Sequence, residues 1–145
     1  MIAIASDHAG FVLKEKVRQL LDELQLKYKD FGAYNAEPSD YPDFGYIAAK
    51  SVGTGECDRG ILVCGSGIGM DIVANKVRDV RAALCTNVEM AEVSRKHNDA
   101  NIIVLGARFT DWDNAEKMVR IWLSTPFEGG RHKRRVDKVN NLGGC

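Results

Sequence analysis

Short apolar segments of strand type alternate with segments of helical periodicity along the whole chain, and this alternation limits the folds open to it. Strands are predicted over residues 2–6, 27–31, 60–64, 81–85 and 102–105. Helices, with apolar residues spaced i, i+3 and i+4, are predicted over residues 11–26, 42–52, 68–76, 88–96 and 114–123, with a final one over 131–142. Apolar strands separated by helices indicate a parallel sheet covered on both faces. We therefore predict an α/β fold, a three-layer doubly wound (Rossmann-like) parallel sheet of about five strands with an additional C-terminal helix.

The composition fits a single domain over residues 1–145 and excludes several functions. Twenty Lys plus Arg balance 20 Asp plus Glu, so the formal net charge is zero, which argues against a nucleic-acid wrapper or a polybasic membrane binder. The apolar runs at 61–64 and 102–105 are far shorter than the roughly 20 residues that cross a bilayer. A strand-like segment rather than a secretion signal follows Met1. We therefore expect a cytoplasmic protein.

The four cysteines are spaced too irregularly for a redox pair or a zinc knuckle, and each is expected to be a free thiol: Cys57, Cys64, Cys85 and Cys145. Only Cys64 has a local setting that suits chemistry. It ends the third predicted strand and leads directly into the glycine loop at residues 65–69.

Doubly wound sheets bind ligands in a crevice at the carboxyl ends of the strands, where the strand order reverses. Two polar turns fall at this edge. The first strand leads into Ser-Asp-His-Ala-Gly at residues 6–10, and the third leads into Gly-Ser-Gly-Ile-Gly at residues 65–69. A strand order of 2-1-3-4-5 would make these turns neighbours.

The glycine loop fits none of three familiar phosphate-binding motifs. A dinucleotide fingerprint needs Gly or Ala at the position of Met70, a Walker loop needs a lysine, and the C-x5-R loop of cysteine phosphatases needs arginine where Met70 stands. What remains is a cysteine followed by backbone amides that can face an oxyanion. Because a helix N-terminus favours the thiolate, Cys64 could remove a proton. The alternatives are a glycine turn needed only for packing and a buried, inert thiol.

Basic residues supply a second signal for an anionic ligand. Arg131 and Arg135 lie four residues apart, on one face of a helix that begins there, and paired guanidinium groups suit a phosphate. Arg108 follows the fifth strand and so lies on the crevice side. The alternative is a solvated basic helix and an ordinary surface arginine.

His97 and Asn98 precede the fifth strand, so they belong at the amino-end rim of the sheet, opposite Cys64. A strand of about five residues separates the two rims by roughly 16 Å. Either His97 is a structural residue at a helix end, or a second subunit brings it to the crevice. The second interpretation predicts a symmetric dimer with shared sites.

Taken together, these segments resemble the type B ribose-5-phosphate isomerases, whose relatives include allose-6-phosphate and galactose-6-phosphate isomerases. The resemblance covers nearly the whole chain, through the motifs at residues 6–10, 40–42, 64–69, 74–76, 97–98 and 129–132. It implies interconversion of ribose 5-phosphate and ribulose 5-phosphate without metal or organic cofactor. It also implies a homodimer or homotetramer that shares its active sites across an interface, with neither nucleic acid nor membrane as a partner.

The resemblance further implies residue roles. Cys64 would move hydrogen between C2 and C1 through an enediolate, His97 would open the sugar ring, and Asp7 and Ser66 would hydrogen-bond the sugar. Asn98 and the amides of the loop would hold the enediolate oxygens. The other substrate contacts would come from His8, Arg108, Arg131 and Arg135 at the phosphate, from Tyr41 and His132 near the sugar, and from the loop residues Gly65, Gly67, Ile68 and Gly69.

Variants within that family leave alternatives. In one branch a glutamate at the position of Met70 replaces the cysteine as base, and Asp71, which could substitute for it here, is turned about 100° further around the helix. Galactose-6-phosphate enzymes divide the motifs between two different chains, whereas this chain carries the full set, which favours a homomer acting on a pentose phosphate. An isomerase of six-carbon sugar phosphates, allose or galactose 6-phosphate, remains an alternative. So does a non-catalytic sugar-phosphate or nucleotide sensor on the same scaffold.

Overall fold

The computed structural model describes residues 1–142, and the predicted alternation of strands and helices is confirmed. The strands are Ile2–Ser6 (β1), Tyr28–Asp30 (β2), Arg59–Cys64 (β3), Ala82–Leu84 (β4) and Ile102–Gly106 (β5). The helices are Phe11–Glu23 (α1), Tyr41–Gly53 (α2), Ile68–Ala74 (α3), Val88–Asn98 (α4), Trp112–Ser124 (α5) and Arg131–Asn140 (α6). Cys145 lies outside the described residues.

All strand pairs are parallel, but the strand order is β2-β1-β3-β5-β4 rather than 2-1-3-4-5. The predicted order was wrong at the far edge, because β5 pairs with β3 and β4 lies outside it. Burial explains this order: every residue of β5 is buried, whereas all three residues of β4 are only partly buried. Apolar β5 therefore occupies a central position and short β4 the edge. The adjacency of β1 and β3 was predicted correctly.

Two clusters of buried apolar residues lie on opposite faces of the sheet, and they show toward which face each strand residue points. On one face Ile4, Ile61 and Ile103 pack with residues of α1 and α5 such as Val17 and Trp122. On the other, alternate strand residues pack with α2 and α3 through Ala48, Ala49, Met70 and Ala74. Cys64 belongs to this second face. Its side chain therefore lies on the side of the sheet that α2 and α3 cover.

The helix ends follow local sequence signals. Asn87 and Asp111 precede α4 and α5, and their side chains accept hydrogen bonds of 2.8 Å from the N–H groups of Met90 and Asn114, as N-cap residues do. Helix α6 begins at Arg131 and packs against α4. None of the helices within residues 1–142 has the length and apolar character needed to cross a bilayer.

Candidate active site

A cleft of about 210 Å³ opens at the carboxyl ends of β1 and β3, where the strand order reverses. Most of the side chains and loop residues predicted for the crevice line it together. The lining consists of Asp7, His8, Ala9, Tyr41, Cys64, Gly65, Ser66, Gly69 and Arg108. Only 4% of Cys64 is exposed, and this small exposed part faces the cleft.

Glycines allow the loop after β3 to lie directly on its neighbours. Gly67 adopts φ +79°, a left-handed conformation that favours glycine, and a Cβ there would meet Leu84 Cδ1 at 2.5 Å. At Gly106, which pairs with Cys64 in the sheet, a Cβ would collide with the carbonyl oxygen of Ser66. The floor of the cleft is therefore backbone packed against backbone.

The loop keeps backbone donors available for a ligand. Within residues 1–142, the N–H groups of Gly65, Ser66 and Gly67 have no protein acceptor, whereas the N–H of Ile68 donates to Ser66 Oγ at 3.2 Å. Successive free amides beside Cys64 can stabilise negative charge on an oxygen.

Asp7 and His8 are held in fixed orientations at the other side of the cleft. The carboxylate of Asp7, 6% exposed, accepts a hydrogen bond of 3.0 Å from the N–H of Gly10. His8 Nδ1 lies 3.1 Å from both the backbone N and O of Ser39, and the N–H of His8 donates to Ser39 Oγ at 3.1 Å. Ser39 therefore orients His8, although nothing in the local sequence around Ser39 signals this role.

Arg108 and Tyr41 form the outer walls. The N–H of Arg108 donates to the carbonyl oxygen of Gly65 at 2.9 Å, which fastens the chain after β5 to the glycine loop. The Arg108 side chain lies over Gly65, because a Cβ at Gly65 would be 3.3 Å from Arg108 Nε. Tyr41, the first residue of α2, is 38% exposed and packs on Gly69. A guanidinium group and a phenol thus border the opening.

Four of the predicted site residues lie elsewhere, in a groove of about 790 Å³ at the amino-end rim of the sheet. This groove, between the α3–β4 connection and α6, is lined in part by His97, Asn98, His132 and Arg135. Within one chain it is separate from the cleft that Cys64 lines. Of the remaining predicted residues, Gly67 is buried in the middle of the glycine loop, whereas Ile68 and Arg131 are exposed, and none of the three lines either cavity.

Two imidazole rings stack in the amino-end groove. The ring centroids of His97 and His132 are 4.3 Å apart with planes 11° from parallel, and His132 Nε2 lies 3.8 Å from a carboxylate oxygen of Glu128. The nitrogen, nitrogen and oxygen atoms of this trio fall within 4.8 Å of one another. Parallel rings direct their nitrogen lone pairs side by side rather than toward a shared point, which is poor geometry for a tetrahedral metal site.

Burial and neighbouring charges shift three protonation equilibria. Burial, then His97 and Arg131, lower the pKa of His132, so its neutral form is favoured. Burial raises the pKa of Asp71, which does not line the Cys64 cleft. Burial also raises the pKa of the Cys85 thiol to about 11, which makes this cysteine unreactive near neutral pH.

The fold and the cleft together define a doubly wound α/β protein with a glycine-floored polar site at its switch point, where proteins of this class bind ligands. Comparison with known proteins assigns the chain more closely. The Ribose/Galactose Isomerase family matches residues 2–139. Ribose-5-phosphate isomerase B of Escherichia coli (strain K12) is 40% identical over 141 residues, which are 97% of this chain and 95% of that protein.

Solved structures agree with this assignment. Ribose-5-phosphate isomerase B of Clostridium thermocellum superimposes with a TM-score of 0.95 at 49% identity, covering 97% of this chain and 95% of the other. The Mycoplasma genitalium enzyme, solved with bound ribulose-5-phosphate, has a TM-score of 0.91 at 41% identity over 96% of this chain and 93% of the other. The chain therefore belongs to the ribose/galactose isomerase family and is a sugar-phosphate isomerase.

Proposed function

We propose that this enzyme interconverts ribose 5-phosphate and ribulose 5-phosphate, with Cys64 as the base that transfers the proton. The observation that carries this proposal is the position of Cys64. It lies at the end of β3, on the cleft, directly before a loop whose amides at Gly65, Ser66 and Gly67 have no protein acceptor among the described residues. A base and oxyanion donors thus occupy one small space.

The chemistry requires both parts. The Cys64 thiolate removes the proton from C2 of the open-chain aldose, the electron pair forms the C1–C2 double bond, and negative charge develops on O1. The loop amides stabilise this charge, a proton moves from O2 to O1, and Cys64 returns its proton to C1 to give the ketose. A positioned base contributes about 10²- to 10⁴-fold and each oxyanion donor about 10²- to 10³-fold, so neither group suffices alone.

Within one chain the cleft supplies contacts for both ends of the substrate. Asp7 and Ser66 are proposed to hydrogen-bond the sugar hydroxyls, Tyr41 to border the sugar, and His8 and Arg108 to bind the phosphate. The fixed orientation of His8 by Ser39 supports this assignment, because a group held before the ligand arrives loses little freedom on binding. Phosphate binding far from the reacting carbons holds the open chain in register.

The remaining groups are proposed to come from a second copy of the chain, in a homodimer or a homotetramer. His97 would move the proton of the anomeric hydroxyl to the ring oxygen, Asn98 would hold an enediolate oxygen, and Arg131 and Arg135 would join the phosphate site, with His132 beside them. These groups lie at or near the amino-end groove of their own chain, away from its Cys64. Exposed apolar side chains on α2 and α3, with Ile47 45%, Ile68 54% and Ile72 56% exposed, support an interface on this layer.

A coupled assay with ribose, allose and galactose phosphates tests the reaction and the substrate. We expect turnover of ribose 5-phosphate, with a loss of about 10²-fold or more for Cys64→Ala while the substrate still binds. Cys85→Ala is the matched control, because Cys85 is equally buried but lines no part of the cleft, and it should retain turnover. Unchanged turnover in Cys64→Ala would refute the role of Cys64 as the base. Binding without turnover in the unmodified protein would indicate a sensor. A preference for allose or galactose 6-phosphate would show that the substrate is a six-carbon sugar phosphate.

Mixing experiments test the shared site. Cys64→Ala and His97→Ala proteins are each expected to be nearly inactive, and hybrids of the two should regain activity, since one of their sites combines an intact Cys64 with an intact His97. Absence of complementation, with subunit exchange confirmed by mass spectrometry, would show that the sites are not shared.

A further inference from the structure

Arg81 joins three elements at the amino-end rim, although neither the cleft nor its chemistry uses it. Arg81 immediately precedes β4, and its side chain is only 16% exposed. Arg81 Nε donates to the carbonyl oxygens of Asn98 and Asp99 at 3.3 and 3.1 Å, and Nη2 donates to Asp99 O at 2.9 Å. Nη1 donates to Asn140 Oδ1 at 2.9 Å. One guanidinium group therefore links β4, the end of α4 and the end of α6.

The end of α4 needs such a partner. The last carbonyl groups of a helix lack N–H donors within the helix, and a cation there is favoured by the helix dipole. Asp99, the C-cap residue that follows α4, has a left-handed φ of +47°, and its carboxylate accepts a hydrogen bond of 2.8 Å from Arg95. Arg81 satisfies the carbonyl groups of this turn. The turn carries His97 and Asn98, so its position sets theirs.

Helix α6 is held at two separated places. Near its start, the stacked rings of His132 and His97 join it to α4, and at its last residue Asn140 is bound to Arg81. The helix has ten residues and is about 15 Å long, so these two attachments lie far apart. Removing the second attachment weakens the hold on the C-terminal end of α6, while the buried Val136 still packs its middle. The side chain of Arg135 lies between the two and moves with the helix.

We propose that Arg81 is a positioning residue for the half of the active site that a second copy contributes. It sets the spacing between His97 and Asn98 on α4 and Arg135 on α6, and it touches no substrate itself. This inference rests on the proposed function, because only a shared site gives these three residues a task in the reaction. A misplacement of about 1 Å can cost about 10²-fold in rate, so loss of the link should be visible in catalysis.

Three variants test whether Arg81 positions the site residues or whether loss of any surface arginine has the same effect. Arg81→Gln removes the guanidinium group and its four hydrogen bonds to three residues. Asn140→Ala removes only the attachment of α6, at a partly exposed residue, so it should fold even if Arg81→Gln does not. In the homomeric enzyme each is expected to lower kcat/KM by about 10- to 100-fold, with KM for ribose 5-phosphate raised as Arg135 shifts. Arg120→Gln is the matched control. Arg120 is an exposed arginine of α5 paired with Glu116, and its replacement should leave kcat/KM unchanged.

The decisive experiment introduces each substitution into only one of the two chains of a hybrid. In hybrids of Cys64→Ala and His97→Ala chains, isolated through two different affinity tags, the working site takes His97 from the Cys64→Ala chain. Adding Asn140→Ala or Arg81→Gln to that chain should reduce hybrid activity about 10-fold or more. Adding the same change to the His97→Ala chain should leave activity at the level of the reference hybrid, because it alters only the inactive site.

Each outcome has a distinct meaning. Equal losses with the change in either chain would show that it acts through stability or assembly. No loss in either chain would show that the link does not position the site. Either result would overturn the role assigned to Arg81 and leave the shared site standing. An inactive reference hybrid with confirmed exchange would refute the shared site, and the assignment of Arg81 with it.

Discussion

The ring of Tyr41 occupies the space next to Gly69 that a side chain at position 69 would need. A Cβ built on Gly69 would lie 2.6 to 2.9 Å from three atoms of the tyrosine ring. Tyr41 begins α2 and Gly69 lies in the first turn of α3, so this contact sets the spacing of the two helices at the mouth of the cleft.

Gly69→Ala should therefore displace the Tyr41 ring and widen the mouth of the cleft. Because the ring can rotate away, we expect the protein to fold and KM for ribose 5-phosphate to rise by about 10-fold, ~1.4 kcal/mol. Steady-state kinetics measures this change. The control adds Gly69→Ala to Tyr41→Ala, where the methyl group meets no ring and should change KM no further. An equal rise in KM on adding Gly69→Ala to the parent and to Tyr41→Ala would show that the effect does not come from displacement of the Tyr41 ring.

Lys14 should contribute far more to stability than an exposed lysine in a similar ion pair. Its side chain is wholly buried, and its Nζ donates to Asp30 Oδ1 at 2.9 Å and to the carbonyl oxygen of Ala33. Lys14→Met removes the close cation from Asp30, which within residues 1–142 keeps only Arg18 Nε at 3.7 Å and the hydrogen bond from the Gly32 N–H, so the free energy of unfolding should fall by about 3 kcal/mol. The matched control is Lys29→Met. The pair of Lys29 with Glu56 is half exposed, so its loss should destabilise the protein far less. Urea unfolding of both variants provides the comparison, and similar losses would count against the prediction.

Cys85 should make the protein less stable at alkaline pH. Burial raises the pKa of its thiol from 9.0 to about 11, so between these values the unfolded chain releases a proton that the folded chain retains. Stability must then fall as pH rises through this window, by at most about 1.4 kcal/mol per pH unit from this group. Cys85→Ala removes the contribution. Urea unfolding at several pH values between about 8.5 and 10.5 should show a shallower decline for the variant; parallel declines would exclude a contribution from Cys85.

His132 should limit stability on the acid side. Its pKa is lowered by burial and by His97 and Arg131, with Glu128 opposing and Arg135 adding to the effect. As pH falls below 6.5, the unfolded chain gains a proton that the folded chain does not bind at this ring, so stability is lost. His132→Gln should lose less stability than the parent protein between neutral and mildly acidic pH. Thermal unfolding across that range measures the difference, and an identical pH dependence would show that another group is responsible.

Periodicity predicted the fold because the strands are strongly apolar. Every residue of β1 and β5 is buried, and both strands begin where the sequence predicts. The order of β4 and β5 was missed because periodicity identifies strands without ranking them. A comparison of the runs would have helped: residues 102–105 are wholly apolar, whereas residues 81–85 begin with arginine and contain two alanines. The more apolar run belongs at the centre of a sheet covered on both faces.

The cleft was predictable where its residues follow strands directly, and less so elsewhere. Asp7, Cys64 and Arg108 follow or end β1, β3 and β5, so the topology of a parallel sheet brings them together. The contact between His8 and Ser39 spans 31 residues and depends on the path of an irregular loop, which no periodicity encodes. Arg81 was overlooked for a similar reason, since its partners Asn98, Asp99 and Asn140 belong to other elements.

The close approach of Gly106 to the Ser66 carbonyl oxygen restricts how this catalyst can be redesigned. Any larger amino acid at position 106 would push the strand and the loop apart, so the bottom of the cavity has no adjustable volume. Engineering toward a bulkier sugar must therefore act at the entrance, by trimming Tyr41 or changing Ser39 so that His8 can retreat. A mutant library focused on those upper positions should yield altered selectivity, whereas one centred on Gly67 and Gly106 should mostly yield misfolded protein.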